Sequence, residues 1–291
     1  MSRYSRDVSA FGAWPREPGT ELRRASAVPA GADSPFAIIA ESQVPDVPTE
    51  WEPHAHPLHE LVWVRGGTLV SRVADRVFTV SEGQGLWMPA GVVHGGRLTA
   101  GVRFHDAFFA PDRTPVAFER PTAITMTPLL ESLLTHLART DLAAEARARA
   151  ESVVFDLLLP SDLQFALQLP GDVRIDVIAE ALLKDPADGR SLEEWAQALS
   201  ISDRTITRAF RHSTGLSFTQ WRQTLRVHRA LALLSEGCDV RGVAEELGYA
   251  QPSTFIAAFR RAVGTTPGAF FETAQDRAQS VRIAVSGVSN S

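Results

Sequence analysis

Arg204, Thr207, Arg208 and Arg211 recur at i, i+3, i+4 and i+7, which puts three guanidinium groups and one hydroxyl on a single face of a helix. A guanidinium can donate two hydrogen bonds to the edge of guanine or clamp a phosphate. Ile206, Ala209 and Phe210 fall on the opposite face and anchor the helix to a core. A second group of residues with chemistry to offer lies upstream, His54-Ala-His56-Pro-Leu-His59-Glu60, followed by His94. On a strand, residues two apart share a face, so His54, His56 and Glu60 have one parity and His59 the other. Imidazole and carboxylate groups gathered on one face are donors for a divalent metal.

The arginine helix needs neighbours to hold it. Ser191-Leu-Glu-Glu194 is a capping box opening a helix that buries Trp195, Ala196 and Leu199. After a short turn, Ser202 caps the arginine helix, predicted from Asp203 to about His212, and Gly215 ends it. Ser217-Phe-Thr-Gln220 opens a longer helix from Phe218 to about Ser235, which turns Trp221, Leu225, Ala230, Leu231 and Leu234 inward. At ~1.5 Å per residue it spans about 27 Å. Gly237 stops it, Asp239 caps Val240–Leu247, Gly248 stops that helix, and Pro252 opens a last one. There Phe255 and Phe259 point inward, and Ser253, Ile256, Ala257 and Arg260 point outward. The pattern is two helix-turn-helix units joined by one rigid helix. It suits two reading helices about one DNA turn, ~34 Å, apart. The second outward face is nearly uncharged and would read by methyl and shape contacts.

The first part of the chain has a different period. Short β runs are predicted at 36–40, 61–64, 68–73, 76–80, 85–88 and 102–109, with Ala74-Asp75 as a tight hairpin, the pattern of a sandwich or barrel. After Pro121 the period turns helical. Thr127-Pro128 starts a helix with Leu129, Leu130, Leu133, Leu134 and Leu137 on its apolar face. Asp141 is expected to cap a second helix to about Leu159, on which Ala143, Ala146, Ala150, Val153 and Leu157 form a two-heptad stripe. That stripe either packs on its own domain or forms a homodimer interface. The fold class is α+β, divided into a flexible arm (1–34), a β-barrel sensor (35–120), a helical dimerisation segment and linker (121–170), a DNA-binding domain (171–275) and a tail (276–291).

Composition sets bounds. A chain of 291 residues suggests two domains, and 44% apolar with 22% charged residues is ordinary for a globular protein. Apolar runs such as Val153–Leu159 are too short to span a bilayer, and the N-terminus lacks the apolar stretch of a signal peptide, so no membrane partner is expected. Cys238 is the lone cysteine, which excludes an intrachain disulfide, fits a cytoplasmic location and leaves a thiol with no assigned role. Net charge is −5, yet residues 190–271 hold ten arginines against seven acids, so the rest of the chain carries −8. A mildly basic module on an acidic one is consistent with DNA binding by the C-terminal part.

The stretch 192–271 resembles the DNA-binding domain of AraC/XylS-type transcription regulators. The resemblance rests on Arg208-Ala-Phe210, Thr214-Gly-Leu-Ser-Phe218, Arg226-Val-His-Arg-Ala230, Val243-Ala-Glu-Glu-Leu-Gly-Tyr249, Ser253-Thr-Phe255, Phe259-Arg-Arg261 and Gly264-Thr-Thr-Pro267. It implies base-facing positions at Arg204, Thr207 and Arg208, and at Pro252, Ser253, Ile256 and Ala257. Ile256 and Ala257 stand where the family often has polar residues. The spacing His54-x-His56-x3-Glu60-x6-Gly67, then Gly83-x5-Pro89-x-Gly91-x2-His94, is similar to the two motifs of cupin barrels. Pro48 replaces the expected opening Gly, and Leu98 an expected Asn. This likeness implies one divalent metal held by His54, His56, Glu60 and His94. Such a set suits Zn, Fe, Ni, Mn or Cu without choosing among them. Trp51, Trp63 and Trp87 lie near these motifs, either as aromatic walls of an effector pocket or as core.

Two functions follow from the residues and the likeness together. One is a transcription regulator that binds double-stranded DNA, senses a small molecule or metal, forms a homodimer and works with RNA polymerase. The other is a metal-dependent cupin enzyme, an oxygenase or isomerase, with a helical docking module.

Overall fold

Alternation of inward and outward side chains from Ile38 to Phe109 builds a two-sheet barrel, and helices pack on the outer face of each sheet. The computed structural model describes residues 19–24, 36–98, 100–116, 118–161, 166–235 and 237–270. Strands in chain order are β1 (Glu21–Arg23), β2 (Ile38–Gln43), β3 (Thr49–His54), β4 (His59–Arg65), β5 (Thr68–Val73), β6 (Arg76–Ser81), β7 (Gln84–Met88), β8 (His94–Leu98), β9 (Arg103–Phe109), β10 (Thr122–Thr125) and β11 (Ala166–Gln168). One sheet runs β1-β3-β8-β5-β6-β11 and the other β10-β7-β4-β9-β2. The hairpin at Ala74-Asp75 closes with Val73 opposite Arg76, and Ala74 takes φ 52°, as a tight two-residue turn requires.

Each predicted strand is present within a few residues. Five others were not anticipated: β1 inside the expected arm, β3 and β8 carrying histidines, β10 in the expected helical segment, and β11 in the expected linker. Those at 21–23, 122–125 and 166–168 are edge strands of three or four residues, too short for alternation to register. The remainder of 1–34 and the tail 276–291 lie outside the described residues.

Apolar residues between the sheets, among them Val62, Leu69, Phe78, Leu86 and Val102, form the barrel core. The outer face of the β4-containing sheet is covered by α1 (Pro128–Leu137) and α2 (Ala144–Leu157). Thr127 caps α1 by accepting a hydrogen bond from Leu130 N at 3.2 Å, as the sequence suggests. Asp141 does not cap α2. Its carboxylate takes two hydrogen bonds from Arg139, at 2.9 and 2.7 Å, and the helix starts after Ala143 with no side-chain cap. The face α2 buries is Arg147, Glu151, Val154 and Leu158, not the predicted stripe. Arg147 donates to the carbonyls of Leu137 and Ile38, while Glu151 accepts from Ile38 N at 3.1 Å. Charge satisfied by backbone thus sets the rotation of the helix, a pattern that hydropathy alone cannot show. Ala143 and Val153 are left exposed, and Ala146, Ala150 and Leu157 half-buried.

The second layer is helical: α3 (Asp176–Lys184), α4 (Leu192–Leu199), α5 (Asp203–Thr214), α6 (Phe218–Ser235), α7 (Val240–Glu246) and α8 (Pro252–Val263). Of these, α3 was not anticipated. The capping boxes at Ser191/Glu194 and Ser217/Gln220 both form, Ser202 caps α5, and Asp239 caps α7. No helix of the described residues is long and apolar enough to cross a membrane.

The helical layer docks on the outer face of β5, β6 and β11. Val77 and Leu167 share one core with Ile178, Trp195, Phe210 and Trp221. Trp221 Nε1 donates to Gln168 O at 2.7 Å, and Thr79 Oγ1 shares a buried hydrogen bond with His228 Nδ1 at 2.8 Å. Burial alone pushes the His228 imidazole down to about 4. A Thr79→Val variant keeps the shape but strands that nitrogen, and should lose about 1–3 kcal/mol in urea unfolding. An unfolded histidine protonates near 6.5 and the folded one only near 4. Stability should therefore be complete above that window and fall as pH drops through it, with a shallower fall in His228→Phe.

Candidate functional site

Strand parity decides what the barrel interior contains. Glu60 and Val62 of β4, Met88 of β7, Phe104, Asp106 and Phe108 of β9, and Ser71 of β5 face a cavity of about 350 Å³. His54 ends β3 and pairs across the strands with His94 at the start of β8. His56 enters from the loop before β4. Gly95 is required beside His94, since a Cβ there would sit 2.9 Å from the Trp51 carbonyl.

The three imidazoles offer ligand atoms that all lie within 4.8 Å of one another. Each Nδ1 sits 2.8 Å from a backbone carbonyl: His54 on Glu52, His56 on Leu58, His94 on Val92. A carbonyl only accepts, so each Nδ1 carries a proton, and Nε2 is the ring atom left to meet a metal or, on His56, the Glu60 carboxylate. Glu60 Oε2 lies 2.9 Å from His94 Nε2 and 3.2 Å from His56 Nε2, all three groups being buried. At 2.9 Å the His94 pair still lacks hydrogen-bond direction, so this buried nitrogen is close to the carboxylate without pointing at it. Burial would push the Glu60 carboxyl up, but His94 and His56 outweigh it and hold it well below the usual range. Burial likewise opposes charge on His94, and Glu60 outweighs it, raising that imidazole. His54 is pushed down to about 4, by burial first and then by His94. Three imidazoles held by carbonyl contacts at Nδ1, with the Glu60 carboxylate beside two of them, are a donor set that could hold a divalent metal.

Only one of the three tryptophans reaches this cavity. Trp51 lines it and stacks on Phe104 at 5.1 Å. Trp63 and Trp87 do not, which corrects the expectation that they form pocket walls. They sit one residue from Val62 and Met88, and alternation sends them through the sheet into the core beneath α1 and α2. There Trp63 stacks on His105 at 4.9 Å, and Trp87 packs on Phe109. His59 also faces outward as parity requires, with its ring against Trp87. The sequence reading missed Asp106. It is 8% exposed, lines the cavity, and its Oδ1 has no hydrogen-bond partner. Burial, reinforced by Glu60 and Glu41, pushes its carboxyl up to about 8. The available signal was Phe104-x-Asp106-x-Phe108, one acid on the inward parity of an apolar strand.

The other surface with chemistry is the outer side of α5 and α8. Arg204, Arg208 and Arg211 are exposed and Thr207 half-buried, while Ile206, Ala209 and Phe210 are buried beneath them. On α8, Ser253, Ala257 and Arg260 are exposed, Pro252 and Ile256 half-buried, and Phe255 and Phe259 buried. Among the described residues no ion pair engages Arg204, Arg208, Arg211 or Arg260, so these guanidinium groups face solvent.

Residues 195–273 match the model of the helix-turn-helix domain family, and residues 49–158 that of the AraC-like ligand binding domain. The chain belongs to the AraC/XylS family of transcription regulators. It is similar to the HTH-type transcriptional regulator NimR of Escherichia coli K12, at 32% identity over 225 residues, 75% of this chain and 81% of NimR. RipA of Corynebacterium glutamicum is 31% identical over 72% of this chain and 61% of its own length. Among solved structures, the DNA-binding domain of AdpA in complex with a target DNA is 33% identical, covering 36% of this chain and 96% of that one, with a TM-score of 0.34. This AraC/XylS regulator is thus a DNA-binding transcription regulator with an AraC-type ligand-binding domain.

An Arg208→Ala change on this exposed face should leave folding stability within about 0.5 kcal/mol. It should weaken binding to the cognate duplex by about 1–3 kcal/mol and make the salt dependence shallower if the contact is to phosphate. Gel-shift titrations across salt, with variant beside wild type, measure this, and equal affinities would remove α5 from the reading surface.

Proposed function

We propose that this regulator senses an effector in the barrel cavity, that a divalent transition metal (Zn, Fe, Ni, Mn or Cu) is part of that site, and that occupancy alters how α5 and α8 are presented to DNA. The observation that carries the reading is the trio of imidazoles whose Nδ1 atoms are all tied to carbonyls while their ligand atoms lie within 4.8 Å of one another, with Glu60 beside those of His56 and His94. His54, His56, His94 and Glu60 would hold the metal. A bound metal would supply a Lewis-acidic position for an oxygen or nitrogen of the effector. The chain's own part is to orient those donors, and to keep Trp51 and Phe104 as a wall that excludes water.

Occupancy has a short route to the DNA module. Ser71 of β5 lines the cavity, while its neighbours Val70 and Arg72 point outward toward the helical layer; Val70 packs on the core containing Trp221, and Arg72 feels the charges of Glu180 and Asp176 on α3. A shift of β5 and β6 toward or away from the cavity therefore changes the seat of α6. An effector moves the equilibrium only by its difference in affinity for the two arrangements. Kinship with transcriptional regulators supports this reading over a metal-dependent oxygenase or isomerase.

We also assign the exposed side of α2 to a homodimer, an assembly that would present paired reading helices to an operator and to RNA polymerase in the cytoplasm. Val153 is 41% exposed there, and Leu129 of α1 is exposed as well.

Elemental analysis of purified protein should find about one metal per chain and a clear loss in His54→Ala/His94→Ala; near-zero content in both would remove the metal from the reading. Val153→Arg should keep the fold and lower the mass measured by light scattering to that of a monomer. An unchanged mass would place the interface elsewhere.

A further inference from the structure

We propose that the Glu41–Asp106 carboxylate pair is the recognition point for a basic nitrogen, an amine or amidine, carried by a planar effector that lies against Trp51 and Phe104. The inference rests on the reading of this cavity as the effector site and adds the effector's chemical class.

Glu41 and Asp106 are direct cross-strand partners on β2 and β9, and both line the cavity. Two carboxylates set opposite each other repel, an arrangement that folding alone does not favour. Asp106 is 8% exposed, and its Oδ1 is buried with no hydrogen-bond partner. A buried polar atom left unpaired costs about 1–3 kcal/mol, which a ligand donor would recover. Along β9 the inward residues are Phe104, Asp106 and Phe108. Phe104 stacks on Trp51, and Phe108 meets the edge of His56 at 5.3 Å. Asp106 therefore lies between the aromatic wall and the histidine cluster, within reach of a small planar molecule touching both.

The other charges at the cavity are already matched. Glu60 is paired with His94 and His56. Arg23 at the mouth donates to Gln43 and Glu21, and Arg24 donates to Glu52. Among the described residues no ion pair engages Glu41 or Asp106. Glu41 and Asp106 are thus the cavity acids that no ion pair engages among the described residues, and they sit beside flat apolar rings. A charge-assisted hydrogen bond from an amidinium or ammonium group supplies what that wall lacks, and the ring behind it supplies area for the two aromatic side chains.

Three probes that share one ring test this by calorimetry on the full chain: benzamidine, benzyl alcohol and benzoate. Benzamidine should bind at least about tenfold more tightly than the other two. Asp106→Asn, which is isosteric and removes the repulsion with Glu41, should erase that preference, and Glu41→Gln should reduce it in part. Benzoate or benzyl alcohol binding as well as benzamidine, or Asp106→Asn binding benzamidine like wild type, would overturn the amine assignment while leaving the cavity as an effector site. Silence from all three probes on wild type would overturn it together with the cavity's role.

Discussion

One helix belongs to both halves of the reading machinery and to the sensor at once. Over its 18 residues α6 buries Phe218, Trp221 and Leu225 in the core shared with α4, α5 and the barrel, then Val227, Ala230, Leu231 and Leu233 in the core shared with α7 and α8. His228 faces the barrel through Thr79. Removing one large apolar side chain from such a position costs about 3–5 kcal/mol, against about 1 for a typical hydrogen bond. Packing thus fixes α5 and α8 relative to each other, and the apolar core around Val77 and Leu167, together with the polar contacts to β6 and β11, fixes their relation to the sensor.

The same constraint explains the barrel. The central strands of the two sheets turn one side to the barrel interior and the other to a helical layer. In the sheet of β4, β7 and β9 the inner side carries Glu60, Asp106 and Met88, and the outer side Trp63, Trp87 and Phe109 under α1 and α2. In the sheet of β5 and β6 the inner side carries Ser71, and the outer side Val77 and Thr79 under α6. Because the period is two, no inner residue can shift without its neighbours moving on the other face. The histidine cluster, the acidic pair and the DNA module are therefore separated by single strands and need no long relay.

Much of this was legible in the sequence, for physical reasons that differ by region. The helical module announced itself through caps: Ser191, Ser202, Ser217 and Asp239 each bond the backbone they precede, and Gly215 and Gly264 adopt the left-handed turn that closes α5 and α8. Caps are local, so local reading finds them. The histidines were found by motif spacing; parity along one strand does not connect them, because His54 ends β3, His56 lies in the loop and Glu60 belongs to β4. The tryptophans misled because proximity in sequence to a motif says nothing about side of the sheet; counting parity from Glu60 would have sent Trp63 outward. Asp106 was missed since its partners, Glu41 and Glu60, come from other strands. The rotation of α2 was missed because Arg147 and Glu151 look like surface residues until the carbonyl of Ile38 is brought to them by folding.

Coupling between cavity and reader through α6 is the claim on which the regulatory account stands. Amide hydrogen exchange of the full chain with and without a cognate operator duplex tests it most directly, since linkage requires that DNA be felt at the sensor if the sensor is felt at the DNA. Protection should rise in α5 and α8 and also change in β5, β6 and the strand β11 that anchors Trp221. Changes confined to the helical module, with β5, β6 and β11 exchanging as in the free protein, would contradict it.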